Sequence, residues 1–324
     1  MTSKELEEKT GAFQAATIIL AANHTGILAA LCAAGQTSDE LAGRLRLDRR
    51  AVATVTDALV CLGVLQKEGH RLRVPHDLLA TLDPSSATSS ANAMDHQWFV
   101  LQRWATLDSV LATGKPTTRP REDEARLRAF ILGMADMARR GAAGLWKAVD
   151  LSRSDRLVDV GGGPGELALA ALERFPRLQA TVFDLPAVLR IAREYASGRT
   201  VKARLDFRDG DALVDDIPPC DAALVSSLLH SYGPEGVAAI AAHVAAGVRP
   251  GGLVLIREFM WDDEAHSGPL SAALFAVNML SGTAEGRCWT AAELQRIFGK
   301  AGFGEWRLTR LDPRTSLLSG TRLG

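Results

Sequence analysis

The run Leu157-Val158-Asp159-Val160-Gly161-Gly162-Gly163-Pro164-Gly165-Glu166-Leu167 constrains this chain's fold more than any other stretch. A short β-branched, apolar segment drives into a glycine cluster, and a helical pattern opens at once behind it. Glycine lacks a Cβ, so such a turn can bring its backbone close to a ligand. The free amides of a helix start can face polar ligand groups. A strand, glycine turn and helix in this order predict a nucleotide-like ligand at the carboxyl end of the first strand of an α/β sheet.

The pattern after the cluster agrees. Strands are predicted over 156–160, 180–184, 205–208, 222–226 and 253–258, and helices over 166–175, 186–195, 234–248 and 291–301. Segments 306–311 and 316–321 form a terminal antiparallel pair. Alternating strands and helices define a doubly wound sheet covered on both faces.

The first hundred residues read differently. Phe13, Ile18, Ile19, Ile27, Leu28 and Leu31 mark an apolar helix face interrupted near Thr25-Gly26. Thr37-Ser38-Asp39-Glu40 is a capping box opening a short helix that ends near Leu45. Asp48 caps a second helix through Val52, Val55 and Leu59, which Gly63 ends. Segments 64–66 and 71–74 bracket Glu68-Gly69-His70 as a hairpin. Helix, turn, helix and hairpin is the winged-helix order. A further helix carries Met94, Trp98, Leu101, Trp104, Leu107 and Leu111 until Gly114-Lys115-Pro116 stops it. A polar linker then runs to about Asp123.

Winged helices often bind DNA, but charge argues otherwise. Arg49 and Arg50 are offset by Asp39, Glu40, Asp48 and Asp57, and the net charge of -1 gives no footprint for nucleic acid or an anionic membrane. The apolar run over 15–22 is too short to span a bilayer. The N-terminal residues lack a secretion core. Cys32, Cys61, Cys220 and Cys288 have no metal or redox spacing, so no metal and a reduced, cytoplasmic setting are expected.

A dinucleotide fingerprint needs a third glycine where this chain has Glu166. Asp159, Asp184 and Asp211 instead place a carboxylate after each of the first three strands. Each alone is an ordinary cap or turn residue. Together they repel a pyrophosphate and suit a cationic, phosphate-free nucleoside, which S-adenosylmethionine is.

In order, the chain carries Phe130-x-x-Gly133-Met134, Asp159-Val160-Gly161-Gly162-Gly163-x-Gly165, Phe183-Asp184-Leu185-Pro186, Gly210-Asp211, Leu229-His230, Arg249-Pro250-Gly251-Gly252, Asn278-Met279-Leu280 and Ala301-Gly302-Phe303. With these motifs, over nearly its whole length, it resembles the S-adenosylmethionine-dependent O-methyltransferases of the caffeate and hydroxyindole type. The resemblance implies an α/β, Rossmann-like class I methyltransferase sheet with an N-terminal winged-helix domain that makes a homodimer. It divides the chain into a dimerisation domain (1–95), a helical linker with acceptor-pocket helices (96–150) and a catalytic domain (151–324). It implies that Asp159, Gly161, Gly163, Asp184, Leu185, Asp211, Ala212, Ser226 and Met134 hold the cofactor. Met94, Trp98, Gln102, Phe275, Asn278 and Met279 are implied to line a small-molecule acceptor site, to which Met134 also contributes. His230 matches the general base and Glu258 the carboxylate that orients it. Each acceptor-site residue taken alone is equally a helix-core residue.

The chain also departs from that family. Cys288 stands where a second carboxylate is usual, with Glu285 three residues earlier. His230-Ser231-Tyr232 replaces His-Asp-Trp, Ser226 replaces a lysine, and Ala276 replaces an acidic residue. Cys288 is expected to pack rather than react. O-methylation of an aromatic acceptor is the leading expectation. C- or N-methylation, non-methylating chemistry on the same scaffold, and an S-adenosylmethionine-sensing regulator stay open as alternatives.

Overall fold

The computed structural model describes residues 1–117 and 124–324. The end of the polar linker expected to reach Asp123 lies outside the described residues. The chain divides into two compact units, Met1–Gln102 and Arg103–Gly324.

The first unit contains α1 (Ser3–Gly11), α2 (Phe13–His24), α3 (Ile27–Ala33), α4 (Ser38–Leu45), α5 (Arg49–Cys61), the strands β1 (Gln66–Glu68) and β2 (Arg71–Arg73), α6 (His76–Leu82) and most of α7 (Ala91–Trp104). The capping box forms as expected: Glu40 N–H donates to Thr37 Oγ1 at 3.2 Å, and Thr37 N–H donates to Glu40 Oε2 at 2.8 Å. Asp48 accepts the Ala51 amide at 2.8 Å to start α5. Strands β1 and β2 pair antiparallel, and Gln36 bridges to Leu72. Leu28, Leu41, Leu59, Leu65 and Leu72 close the core beneath this winged helix. Helices α1 and α6 carry no strong periodic signal and were not separated in the sequence.

The second unit adds α8 (Leu107–Thr113) and α9 (Glu124–Ala148). They precede β3 (Arg156–Val160), α10 (Glu166–Arg174), β4 (Gln179–Asp184), α11 (Pro186–Ala196), β5 (Leu205–Asp209) and β6 (Cys220–Ser226). After these come α12 (Pro234–Gly247), β7 (Val248–Glu258), β8 (Met260–Trp261), α13 (Leu270–Gly282), β9 (Trp289–Thr290), α14 (Ala291–Lys300), β10 (Phe303–Arg310) and β11 (Ser316–Arg322). The single helix expected to run from Met94 through Leu111 is broken. Thr106 Oγ1 turns back onto the Arg103 carbonyl at 2.8 Å, α7 ends at Trp104, and α8 starts afresh.

Seven strands form one sheet in the order β10-β11-β7-β6-β3-β4-β5. Strands β5, β4, β3, β6 and β7 are parallel; β11 runs antiparallel between β7 and β10, so the sheet is mixed. Side chains alternate between its faces. Leu157, Ala180, Val182, Ala222, Leu224 and Leu255 pack on α9 and α10. Val158, Val160, Ala223, Val225, Val254 and Ile256 pack on α12 and α14. Burial on both faces is why these strands read as continuous apolar runs. The winding direction reverses between β3 and β6, which places the ligand crevice at their carboxyl ends. Among the described residues no single helix is long and apolar enough to cross a membrane.

Candidate active site

The glycine turn leaves β3 through three left-handed residues, Gly161, Gly163 and Gly165, with φ of 63°, 56° and 76°. A Cβ at Gly161 would lie 2.7 Å from Leu228, whereas one at Gly163 would meet nothing within 4 Å. The loop therefore packs at its first residue and opens onto free space at its third. Two of its amides turn inward. Gly161 N–H donates to the Phe183 carbonyl at 2.8 Å, and Gly163 N–H to Asp184 Oδ2 at 2.8 Å. With the Gly161 and Gly163 amides spent on the protein, the loop has fewer donors for a phosphate, in keeping with the phosphate-free ligand. Glu166, the residue that breaks the dinucleotide fingerprint, is buried. It accepts the Tyr195 hydroxyl at 2.6 Å and Arg199 at 3.1 Å.

Two of the acidic residues meet this loop, Asp159 against Gly162 and Asp184 at the Gly163 amide. Asp184 ends β4 and also accepts the Leu185 amide at 2.7 Å. Leu185 packs against Leu127, Ile131, Val188 and Ile191. After β5, Gly210 N–H reaches the Asp184 carbonyl at 3.0 Å, and a Cβ at Gly210 would sit 2.3 Å from the Phe183 ring, so only glycine passes there. Asp211 Oδ1 accepts the Leu213 amide at 3.0 Å, a turn role, and Ala212 lies in the core. Asp159 is 1% exposed, and neither of its oxygens has a hydrogen-bond partner. Burial first, then the Asp184 charge, pushes its carboxyl up to about 7; the nearby Ala168 amide, whose contact falls short of a hydrogen bond, is the smallest of the three influences and opposes the other two. A buried carboxylate without a partner is costly unless a cation meets it. The ammonium and sulfonium of S-adenosylmethionine supply such a cation, so the residues present fit the cofactor.

Beyond β6, His230 is 8% exposed and its Nδ1 lies 2.7 Å from Glu258 Oε2, with Glu258 1% exposed at the end of β7. The Phe259 amide also donates to that oxygen at 3.3 Å. Phe275 meets the imidazole edge-on at 4.7 Å and stacks on Phe259 at 4.0 Å. The Arg287 amide holds the His230 carbonyl at 2.9 Å. Gly286 is required there, because its Cβ would fall 2.6 Å from that carbonyl.

Cys288 is buried, and its thiol donates to the Ala272 carbonyl at 3.3 Å. Burial first, and the Glu258 charge second, push it up to about 12. It is a neutral packing residue, not a nucleophile. Glu285 lies against Gly233, so Glu258 is the carboxylate on His230.

Asn278 lies one turn of α13 beyond Phe275, and its Oδ1 accepts Arg103 at 2.5 Å and Trp104 Nε1 at 3.1 Å. Met279 is buried beside it and Met134 is half-buried on α9. Ser226 Oγ accepts Arg257 at 3.4 Å, a buried arginine absent from the expected site. In the first unit Met94 packs on the core, Trp98 stacks on His24 at 5.5 Å, and Gln102 is exposed. Arg103 also escaped the sequence. No local pattern joins residues that lie 175 positions apart.

A mixed seven-stranded sheet of this order, with an acidic cofactor crevice, defines the class I S-adenosylmethionine-dependent methyltransferases. The comparisons with known proteins agree. An O-methyltransferase domain model matches residues 112–304. The chain is 30% identical to the tetracenomycin polyketide synthesis 8-O-methyl transferase of Streptomyces glaucescens, covering 98% of this chain and 96% of that one. It is 31% identical to the 3-hydroxy-5-methyl-1-naphthoate 3-O-methyltransferase of Streptomyces sahachiroi, over 93% and 89% of the two chains. The human N-acetylserotonin methyltransferase, solved in complex with S-adenosylmethionine, shares the fold at a TM-score of 0.88 and 22% identity, over all of both chains. The chain belongs to the O-methyltransferase domain family and is an S-adenosylmethionine-dependent methyltransferase of small-molecule acceptors.

Proposed function

We propose that this enzyme methylates a hydroxyl of a small aromatic natural-product acceptor, with His230 as the general base. The observation that carries the proposal is the 2.7 Å contact between His230 Nδ1 and buried Glu258. Glu258 accepts from Nδ1–H, which selects the tautomer whose Nε2 is bare and able to take a proton. The polyketide and naphthoate acceptors named for the two bacterial relatives support the aromatic class.

Bound S-adenosylmethionine supplies a methyl already activated on a sulfonium. Asp159 would meet its positive charge, Asp184 and Asp211 would hold its ribose and adenosine side, and Gly161, Gly163, Leu185, Ala212, Ser226 and Met134 would complete the site. A phenol near pKa 10 is a poor nucleophile at neutral pH. Nε2 takes the hydroxyl proton, and Glu258 stabilises the imidazolium that forms; the freed oxygen would accept the methyl as its bond to sulfur breaks, with S-adenosylhomocysteine as the leaving product. Phe275 and Phe259 hold the imidazole edge and exclude water from it. Alignment of hydroxyl and methyl supplies much of the rate.

Residues 1–95 serve a homodimer in this proposal, 96–150 contribute acceptor helices, and 151–324 form the catalytic domain; Met94, Trp98 and Gln102 belong to the proposed acceptor site. Helix α1 supports the dimer, because it buries none of its residues within the chain and Phe13 behind it is 60% exposed. Four free cysteines, Cys61 exposed among them, suit a reduced cytoplasm. The test is incubation of the enzyme with S-adenosylmethionine and a panel of hydroxylated aromatics. S-adenosylhomocysteine and an O-methyl product are expected; methylation only at nitrogen or carbon would overturn the proposal.

A further inference from the structure

Arg103 is a half-buried cation beside the acceptor helix. Among the described residues no carboxylate pairs with it, and burial alone pulls its pKa below the usual value. Its Nε is buried without a hydrogen-bond partner, and its guanidinium lies on Gly282, where a Cβ would come within 2.8 Å. Glycine at 282 makes room for that plane. A partly desolvated charge that no described carboxylate meets is costly, and the fold keeps it.

The side chains that meet at Asn278 bring donors. The only oxygen of the Asn278 side chain is capped by Arg103 and Trp104. That assignment leaves the Asn278 amide N–H groups and the remaining guanidinium N–H groups to be matched. Such a wall suits a group that only accepts, and a carboxylate matches the guanidinium fork. Phe275, Asn278 and Gly282 share one face of α13. Phe275 touches the His230 ring. Asn278 and Gly282 lie ~4.5 Å and ~10 Å further along the helix axis. One or two fused aromatic rings span that interval.

We propose that Arg103, with the Asn278 amide, binds a carboxylate on the aromatic acceptor while the acceptor's hydroxyl lies at His230. Arg103 is thus the residue that selects acidic acceptors. The inference rests on the aromatic-acceptor reading above.

The probes are hydroxynaphthoic acids and their matching carboxamides, titrated calorimetrically into the full chain saturated with S-adenosylhomocysteine. At least one acid is expected to bind ~10- to 100-fold tighter than its amide, the effect of one charge-assisted pair. Added salt weakens the acid alone. Arg103→Met, which keeps the apolar stem, erases the difference without weakening the amide, and Arg103→Lys restores part of it. Equal binding of acid and amide, binding of neither, or equal loss of both in Arg103→Met overturns the inference. If Arg103→Met does not fold, the wild-type ratio and its salt dependence decide. Replacing S-adenosylhomocysteine with S-adenosylmethionine separates the two claims. Tight acid binding without methyl transfer refutes the function and leaves the anion site. Transfer to acid and amide alike does the reverse.

Discussion

Asp159 makes the cofactor site a proton-linked one. Its carboxyl is 1% exposed, has no hydrogen-bond partner and is raised from 3.8 to about 7 by burial and then by Asp184. Between those two pH values the folded protein holds a proton that the unfolded chain has lost. Stability therefore falls as pH rises through that window and levels off above about 7. The full span is worth at most ~4 kcal/mol, at ~1.4 kcal/mol for each pH unit. Asp159→Asn removes the titration, so the cofactor-free variant loses this slope and is more stable than the wild type at pH 8. The cofactor's positive charge favours the ionised carboxylate, so binding at pH 6 expels close to one proton. Affinity then drops by up to ~10-fold per pH unit below 7. Calorimetry in two buffers of different ionisation enthalpy counts that proton, and urea titrations follow the stability. Asp159→Asn should release none and bind ~10- to 100-fold more weakly at pH 8, the cost of one charge-assisted contact. Binding without proton release and with a flat pH dependence in the wild type would refute the reasoning.

Three other outcomes follow from the geometry. Cys288→Ala should keep turnover within ~3-fold and lose ~1 kcal/mol of stability as a small core truncation; a thiol reagent at pH 7.5 should modify exposed Cys61 and spare Cys288. Gly165→Ala combines a φ of 76° with a Cβ 2.9 Å from Val182, so thermal unfolding should show a loss of ~1–3 kcal/mol. Glu258→Gln should preserve cofactor affinity but lower kcat by ~10²- to 10⁴-fold, because the amide neither fixes the imidazole tautomer nor stabilises its charged form; a kcat within threefold of wild type would show that Glu258 is not needed.

The sheet was legible because its inner strands are buried on both faces and its helices open at glycine, at proline or, for α14, at the Thr290 capping box. Arg156–Val160 reads identically in sequence and structure, and the other strands differ at their ends. The terminal pair was visible through the alternation of Trp306, Leu308 and Leu311 with polar residues and the following run at Leu317-Leu318. The break after Trp104 was not, because a Thr106 side chain makes it rather than glycine or proline. Helix α13 shows little amphipathic contrast, since Leu270, Leu274 and Leu280 are exposed on it. In the site, Asp159, Asp184 and His230 stand at strand ends, where position alone points to function. The Asp184 hold on the Gly163 amide was not legible, because only the pairing of β3 with β4 brings the two together. The donors around Asn278 depend on Arg103 and Trp104, which only the tertiary fold brings near.

The central claim is that His230, held by Glu258, removes the acceptor's proton. The direct measurement is the single-turnover rate of His230→Ala on an acceptor the wild type methylates, with S-adenosylmethionine affinity measured separately. A loss of ~10²- to 10⁴-fold in rate with cofactor affinity within ~3-fold is predicted, the usual worth of a positioned base. An unchanged rate at full cofactor occupancy would contradict the account.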